Sequence, residues 1–307
     1  MPLSTLRDLI AASEIAVLPG AYDGFSARLI ERAGFPAAFV TGSGVSESRL
    51  GAPDVGLAGL AEMVGAARDI ARCVHIPVLA DADTGYGNAV NVFHTVQAFE
   101  QAGVAGVMIE DQTWPKRCGH LAGKEVIAAE EMAGKVAAAV EARVDPSLVI
   151  MARTDAAAAF GVEAAVERAN LYAEAGADLL FADALTSEDD IRRFATKVNA
   201  PVAVNMGFGV RSRRTTPLLS AARLQELGVA LMIAPRMLTA AAIRGMELAL
   251  GALLESMRTG EVVDREDLLV SFEELHDLMG FPEIQELEQR FLAREQLAGK
   301  YGNGEGQ

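Results

Sequence analysis

The sequence predicts an α/β fold, a closed (β/α)8 TIM barrel with a C-terminal helical extension. Three observations predict it. Eight short, β-rich apolar runs recur along the chain, each followed by a stretch with helical periodicity. The runs are nearly continuous in apolar character, as strands are when helices cover both faces of a parallel sheet. The pattern then stops near residue 258. Eight strand–helix units suit a closed barrel, and an open doubly wound sheet is the second architecture compatible with them.

The strand runs are IAVL (15–18), AAFV (37–40), PVLAD (77–81), GVMIED (106–111), LVIMARTD (148–155), LLFAD (179–183), PVAVN (201–205) and VALMIA (229–234). Between them, Leu57, Leu60, Met63, Val64, Ala67 and Ile70 form the stripe of an amphipathic helix, and AGKVAAAVEA (133–142) reads the same way. Ala33-Gly34-Phe35, Ala102-Gly103-Val104 and Ala175-Gly176-Ala177 each place a glycine at a helix C-terminus just before a strand. We divide the chain into a barrel over 1–257 and an extension over 258–307. The extension reads as helices over about 265–279 and 282–297, joined at Gly280-Phe281-Pro282, with a disordered tail, YGNGEGQ. Ile284, Leu287, Phe291 and Leu292 make one apolar stripe, which needs a neighbouring subunit to pack on.

Composition excludes several function classes. The 307 residues are 51% hydrophobic and 22% charged, enough for a large core. A net charge of −15 argues against nucleic acid, whose binding rests on Lys and Arg neutralising phosphates. It also means that an anionic substrate needs local cations or a metal. No uncharged apolar run of membrane-spanning length occurs, and the N-terminus lacks a signal-peptide layout. Two cysteines, Cys73 and Cys118, make no disulfide framework, so a reducing cytoplasm is the natural compartment.

In parallel barrels functional groups gather at the C-terminal ends of the strands. Here successive ends carry Thr41-Gly42-Ser43-Gly44, Asp81-Ala82-Asp83, Glu110-Asp111, Arg153-Thr154-Asp155, Asp183 and Asn205. Asp81, Asp83 and Glu110 form an all-oxygen acidic cluster, the ligand type of Mg²⁺ or Mn²⁺. Asp81 and Asp83 are two apart and share a face on a regular strand. The plainer alternative is that these acids cap helices or pair with Arg153. Thr84-Gly85-Tyr86-Gly87 reads as a tight loop. Thr41–Gly44 lacks a full dinucleotide fingerprint, and a loop offering N–H groups to a carboxylate fits it better.

The segment IEDQTWPKRCGHLAGK (109–124) concentrates further chemistry. Cys118 sits in a loop between Lys116-Arg117 and His120, and these neighbours pull a thiol below its ordinary value of about 8.5. Cys73, at a helix end, reads as a buried small hydrophobe. His75, His94 and His276 read as structural.

DADTGYG, IEDQ, KRCGH and MARTDA, in this order and spacing, with PGAYDGFSARLIERAGF and TGSGVSESRLGAPDVG before them, resemble the isocitrate lyase/phosphoenolpyruvate mutase superfamily. The likeness covers roughly residues 10–250 and is closest to the branch of methylisocitrate lyase, 2,3-dimethylmalate lyase and oxaloacetate hydrolase. The resemblance implies an α/β barrel whose last helix swaps between subunits, in homotetramers built from dimers. It implies Mg²⁺-dependent cleavage of a 2-hydroxy di- or tricarboxylate to a 2-oxo acid and a carboxylate. Cys118 is then the proton donor to the departing enolate, on a loop that closes over the substrate. Lys116, Arg117, His120 and Arg153 supply positive charge or donors. Thr41, Gly42 and Ser43 hold the 2-oxo acid carboxylate, beside Gly119 of the loop. Asp54, Asp81, Asp83 and Glu110 surround the metal, some through water. Arg153, Asp183 and Asn205 face the substrate's other end.

The sequence departs from methylisocitrate lyases at Phe39, where they usually carry Tyr, and at Asp183, where they usually carry Glu. MGFGVRSRRTTP, with Arg211, Arg213 and Arg214, is also longer than the usual segment after Asn205. That run reads either as an exposed basic loop or as a lid for a polyanion. Oxaloacetate hydrolysis, C–P bond chemistry and a non-catalytic acid-binding barrel are the competing functions. KRCGH weighs against the second, and retention of Asp81, Glu110 and Cys118 against the third.

Overall fold

A computed structural model describes residues 4–119, 123–208, 211 and 216–301. His120, Arg213, Arg214 and residues 302–307 of the tail therefore lie outside the described residues. Eight parallel strands follow in sequence order: β1 (Ala16–Ala21), β2 (Ala38–Val40), β3 (Val78–Asp81), β4 (Gly106–Glu110), β5 (Val149–Thr154), β6 (Leu179–Ala182), β7 (Val202–Asn205) and β8 (Leu231–Ala234). β1 pairs with β8, with Leu18 opposite Ile233, so the sheet closes into a barrel rather than staying open.

Two apolar layers hold it. Ile109, Ile150, Leu180 and Val204 point outward and pack with helix residues such as Ile30, Met63, Phe99, Met132 and Phe194. Leu18, Phe39, Leu79, Met108, Met151, Phe181, Leu231 and Ile233 fill the interior. A short helix that the periodicity did not reveal, Leu6–Ala11, contributes Leu6 and Ile10 to that inner cluster. A Cβ at Gly106 would lie 2.9 Å from Leu6 Cδ2, so the strand needs glycine there to accept the plug.

The predicted glycine stops are present. Gly34, Gly103 and Gly176 have φ of +86°, +88° and +103° just after their helices, where a side chain would be strained. The stripe expected from Leu57 begins later: the helix is Leu60–Ala71, with Met63, Ala67 and Ile70 buried and Leu57 exposed before it.

The chain forms two compact units, Met1–Ile243 and Arg244–Gln307. The second contains the helices Phe272–Leu278, Phe281–Phe291 and Arg294–Tyr301. Ile284, Leu287 and Phe291 are exposed as expected, but Leu292 caps the helix end instead of continuing the stripe. The division falls within the helix Met237–Thr259, which is long and apolar enough to cross a membrane, although only 6% of its apolar window is buried in the chain alone. That window was not anticipated from uncharged runs because Arg244 and Glu247 interrupt it.

Candidate active site

Strand alternation sets the site. Leu79, Met108, Met151, Phe181 and Ala203 face the barrel interior. Two residues further along, in the same phase, stand Asp81, Glu110, Arg153, Asp183 and Asn205. The polar mouth is thus the next layer of the same inward-facing stack. Asp81, Glu110, Arg153 and Asn205 line a cavity of about 520 Å³, open solvent at the mouth included, together with Phe39, Thr41, Ser43, Asp54, Lys116, Cys118, Pro235 and Arg236, while Asp183 stands behind Arg153 and Gly119.

One side is acidic. Asp83 reaches it by a different route from the one predicted. β3 ends at Asp81, and Asp83 has left-handed backbone (φ 48°), so a turn and not strand alternation brings the two acids together. The Asp83 amide donates to Asp81 Oδ1 at 3.0 Å, and the Gly42 amide to Asp81 Oδ2 at 3.3 Å. A Cβ on Gly42 would stand 2.7 Å from Asp81 Oδ2, which is why the turn after β2 carries glycine. Thr41 caps the short Gly42–Val45 helix, and its hydroxyl lies 3.0 Å from that of Ser43, both buried.

Lys116 and Arg153 oppose this acidity. Buried Lys116 lies 2.8 Å from Asp83 Oδ1 and also pairs with Asp54. Arg153 Nε is 3.2 Å from Glu110 Oε2. Glu110 does therefore pair with Arg153, as in the plainer alternative, yet its buried Oε1 has no hydrogen-bond partner among the described residues. Burial pushes the carboxyls of Asp81 and Glu110 up, against the pull of Lys116 and Arg153, and raises Asp83 to about 7. Among the described residues no three acid, His or Cys side chains are drawn together as a ready metal-binding group. The donor set nevertheless fits a hard cation: it is all oxygen and buried, it holds an unpartnered Glu110 oxygen, and its carboxylates outnumber the cations facing them.

The opposite side is an ion network. Arg153 grips Asp155 with two bonds, of 2.8 and 2.9 Å, and reaches Asp183 at 3.2 Å. Its guanidinium also lies 5.2 Å from the centre of the Phe181 ring. Lys124 Nζ bridges Asp155 (2.6 Å), Asp183 (2.8 Å) and the Gly119 carbonyl (3.2 Å). Gly119 rests on this network, and a Cβ there would collide with the Asp183 carboxylate. Behind it, buried Asp111 accepts from Thr154 Oγ1 (2.7 Å), the Asp155 amide (2.8 Å) and Tyr172 (2.8 Å), fixing the end of β5.

Cys118 hangs between the two sides. Its amide donates to Asp54 O at 3.1 Å, and Gln112 clamps Arg117 through two backbone bonds of 2.9 Å. The Arg117 side chain is exposed at the cavity rim. Arg236, two residues past β8, donates through Nη2 to Cys118 Sγ at 3.4 Å and through Nη1 to Glu47. Cys73 is remote from this, with its thiol on the carbonyls of Gly24 and Ile70 and its acidity weakened by burial.

The predicted residues Thr41, Gly42, Ser43, Asp54, Asp81, Asp83, Glu110, Lys116, Arg117, Cys118, Gly119, Arg153, Asp183 and Asn205 stand around this cavity, directly or through the contacts above. Lys116 and Arg153, expected to face developing negative charge, are each committed to carboxylates. Lys124, Glu47 and Arg236 were missed. The available signals were the lysine that closes the cysteine segment and the polar residue that follows the eighth strand.

A model of the family described as phosphoenolpyruvate phosphomutase matches residues 6–254. The chain belongs to this family. It is 43% identical to 2,3-dimethylmalate lyase of Eubacterium barkeri over 93% of this chain and 96% of that protein. It is 40% identical to 2-methylisocitrate lyase of Aeropyrum pernix over 98% and 95% of the two chains. The phosphoenolpyruvate phosphomutase fold recurs in a crystal structure of 2,3-dimethylmalate lyase, described as a PEP mutase/isocitrate lyase superfamily member (TM-score 0.85, 34% identity, 94% and 96% covered). It recurs in oxaloacetate acetylhydrolase bound to 3,3-difluorooxalacetate (0.85, 31%, 94% and 96%) and in phosphonopyruvate hydrolase with oxalate and Mg²⁺ (0.80, 30%, 94% and 98%). Within the phosphoenolpyruvate phosphomutase family, this enzyme is a lyase of the isocitrate lyase/PEP mutase superfamily.

Proposed function

We propose that this lyase cleaves a carbon–carbon bond of a 2-hydroxy di- or tricarboxylate, of the dimethylmalate or methylisocitrate kind, leaving a 2-oxo acid and a carboxylate. The observation that carries this reading is the placement of the Cys118 thiol on the same cavity as Asp81 and Glu110. Asp81 and Glu110, with Asp83 and Asp54 beside them, would hold Mg²⁺ or Mn²⁺, which when bound supplies Lewis acidity to the substrate's carboxylate and hydroxyl oxygens. A solved family relative with oxalate and Mg²⁺ supports that choice. The hydroxyls of Thr41 and Ser43 and the Gly42 backbone then orient the carboxylate of the 2-oxo acid half. Phe39, Met108, Phe181 and Ile233 floor the cavity with apolar surface, which suits a substrate carrying methyl groups. Asn205, whose buried Oδ1 has no partner among the described residues, and Asp183 are assigned to the substrate's far end. Cys118 donates its proton to the carbon from which the bond has broken, and residues 116–119 around it exclude water while it does so. Arg117 adds positive charge at the rim, and the imidazole of His120 is assigned as a further donor to the developing charge.

Exposed Leu253, Leu254, Met257, Phe272, Ile284 and Phe291 support assembly through the C-terminal unit, as a homotetramer of helix-exchanging dimers in the cytoplasm. A panel of 2-hydroxy diacids and triacids with Mg²⁺, followed by 2-oxo acid release, tests the reaction. The likeness to oxaloacetate acetylhydrolase favours one second reading, hydrolysis of a 2-oxo diacid, which the same panel detects with oxaloacetate through oxalate formation.

A further inference from the structure

Arg236 stands apart from the other buried cations of the cavity wall. Lys116 is enclosed by Asp54 and Asp83, and Arg153 by Glu110, Asp155 and Asp183. Arg236 gives Nη1 to Glu47 and turns Nη2 to the Cys118 sulfur at 3.4 Å. Its side chain is 19% exposed, and that of Glu47 28%, so the guanidinium is held at the cavity wall and only partly screened by water. Its position follows from the fold. Ile233 is inward-facing at the end of β8, and Pro235 and Arg236 continue that wall toward the mouth.

We propose that Arg236 is a catalytic residue of this site: it sets the acidity of Cys118 and takes up the charge left on sulfur when the thiol proton leaves. The inference rests on the reading of Cys118 as proton donor. In that step the S–H bond breaks, a C–H bond forms on the departing fragment, and the electron pair stays on sulfur as thiolate. The proton lost from the substrate hydroxyl balances the one the thiol gives, so the thiolate is reprotonated before the next turnover. A guanidinium in hydrogen-bond reach of sulfur favours the thiolate over the thiol, and more strongly where water is excluded. Among the described residues, the other charged groups about Cys118 are Lys116 and Arg117 on its own loop, Asp54 beneath its amide and Glu47 behind Arg236, and His120, two positions along in sequence, lies outside the described residues. Of these, Lys116 is neutralised by two carboxylates, and Glu47 opposes thiolate formation through Arg236.

The test is the pH profile of alkylation by iodoacetamide, read separately at Cys118 and Cys73 by peptide mass spectrometry on the metal-loaded protein. Arg236→Gln should move the Cys118 midpoint up by about one pH unit, slowing its alkylation below the midpoint about tenfold, and leave Cys73 in place. Arg236→Lys should recover part of the shift. Arg236→Gln should lower kcat with little change in KM. Glu47→Gln breaks the same ion pair but leaves the guanidinium beside sulfur, so its midpoint should stay or fall. An unchanged midpoint in Arg236→Gln overturns the proposal. So does an equal upward shift in Glu47→Gln, which marks general loosening. The thiol titration does not depend on turnover. Normal turnover by Cys118→Ser would therefore sink the proton-donor reading, and the catalytic role of Arg236 with it, while the midpoints still report whether Arg236 tunes the thiol.

Discussion

The Lys116 ammonium stands 2.8 Å from Asp83 Oδ1, so the loop that carries Cys118 is anchored on the carboxylates proposed to hold a cation. The Lys116 side chain is only 4% exposed, and a second acid, Asp54, shares it. Replacing it with Met leaves two buried carboxylates without their counter-ion. The expected cost is about 3 kcal/mol of unfolding free energy, measured by urea denaturation. Added Mg²⁺ should restore more stability to this variant than it adds to the unaltered protein.

Chelation provides a second prediction. Burial pushes the carboxyls of Asp81, Asp83 and Glu110 up, so a bound cation favours their ionised forms. Excess EDTA should abolish turnover, Mg²⁺ or Mn²⁺ should restore it, and Asp81→Ala should stay inactive with either metal. Full activity in EDTA would contradict the metal assignment.

Gly119 provides a third. A methyl group there runs into Asp183 and stands 3.0 Å from Arg153 Nη2. Gly119→Ala should push the neighbouring Cys118 off its position and lower kcat by about 10²-fold, the scale of a misplacement near 1 Å. The melting temperature should move little, because the change falls in a loop. Steady-state kinetics beside a thermal melt distinguishes the two effects.

The fourth concerns assembly. Leu253, Leu254 and Met257 on the long helix, with Ile284, Leu287 and Phe291 beyond it, are exposed in the single chain. Removing residues 281–307 should shift the protein to smaller and less stable species by light scattering. An unchanged assembly would refute a role for that segment.

Much of this was written plainly in the sequence, for identifiable reasons. Strands covered on both faces must be apolar throughout, so all eight were visible as runs. Asp81, Glu110 and Arg153 were visible because each interrupts such a run two residues after an inward-facing Leu79, Met108 or Met151. Asp83 was placed near Asp81 for the wrong reason, since strand alternation cannot foresee a left-handed turn. Leu6–Ala11 was invisible because only two of its residues, Leu6 and Ile10, are buried. The partners of the cations were invisible for a deeper reason. Arg236 meets Cys118 across 118 positions of chain and Lys124 meets Asp183 across 59, and only barrel closure brings such residues together. Whether a lysine faces the substrate or a carboxylate is decided there.

The most direct test of the account is turnover by Cys118→Ser on the substrate that the panel identifies. Serine keeps the shape but is a far weaker acid than the thiol. The account predicts that kcat falls by about 10²-fold or more, the usual range for losing a general acid. Oxalate binding in the presence of Mg²⁺, measured by calorimetry, should be unchanged, since neither the acidic corner nor Thr41 and Ser43 needs the thiol. Near-normal turnover by this variant would make Cys118 a loop-packing residue and contradict the proposed lyase chemistry.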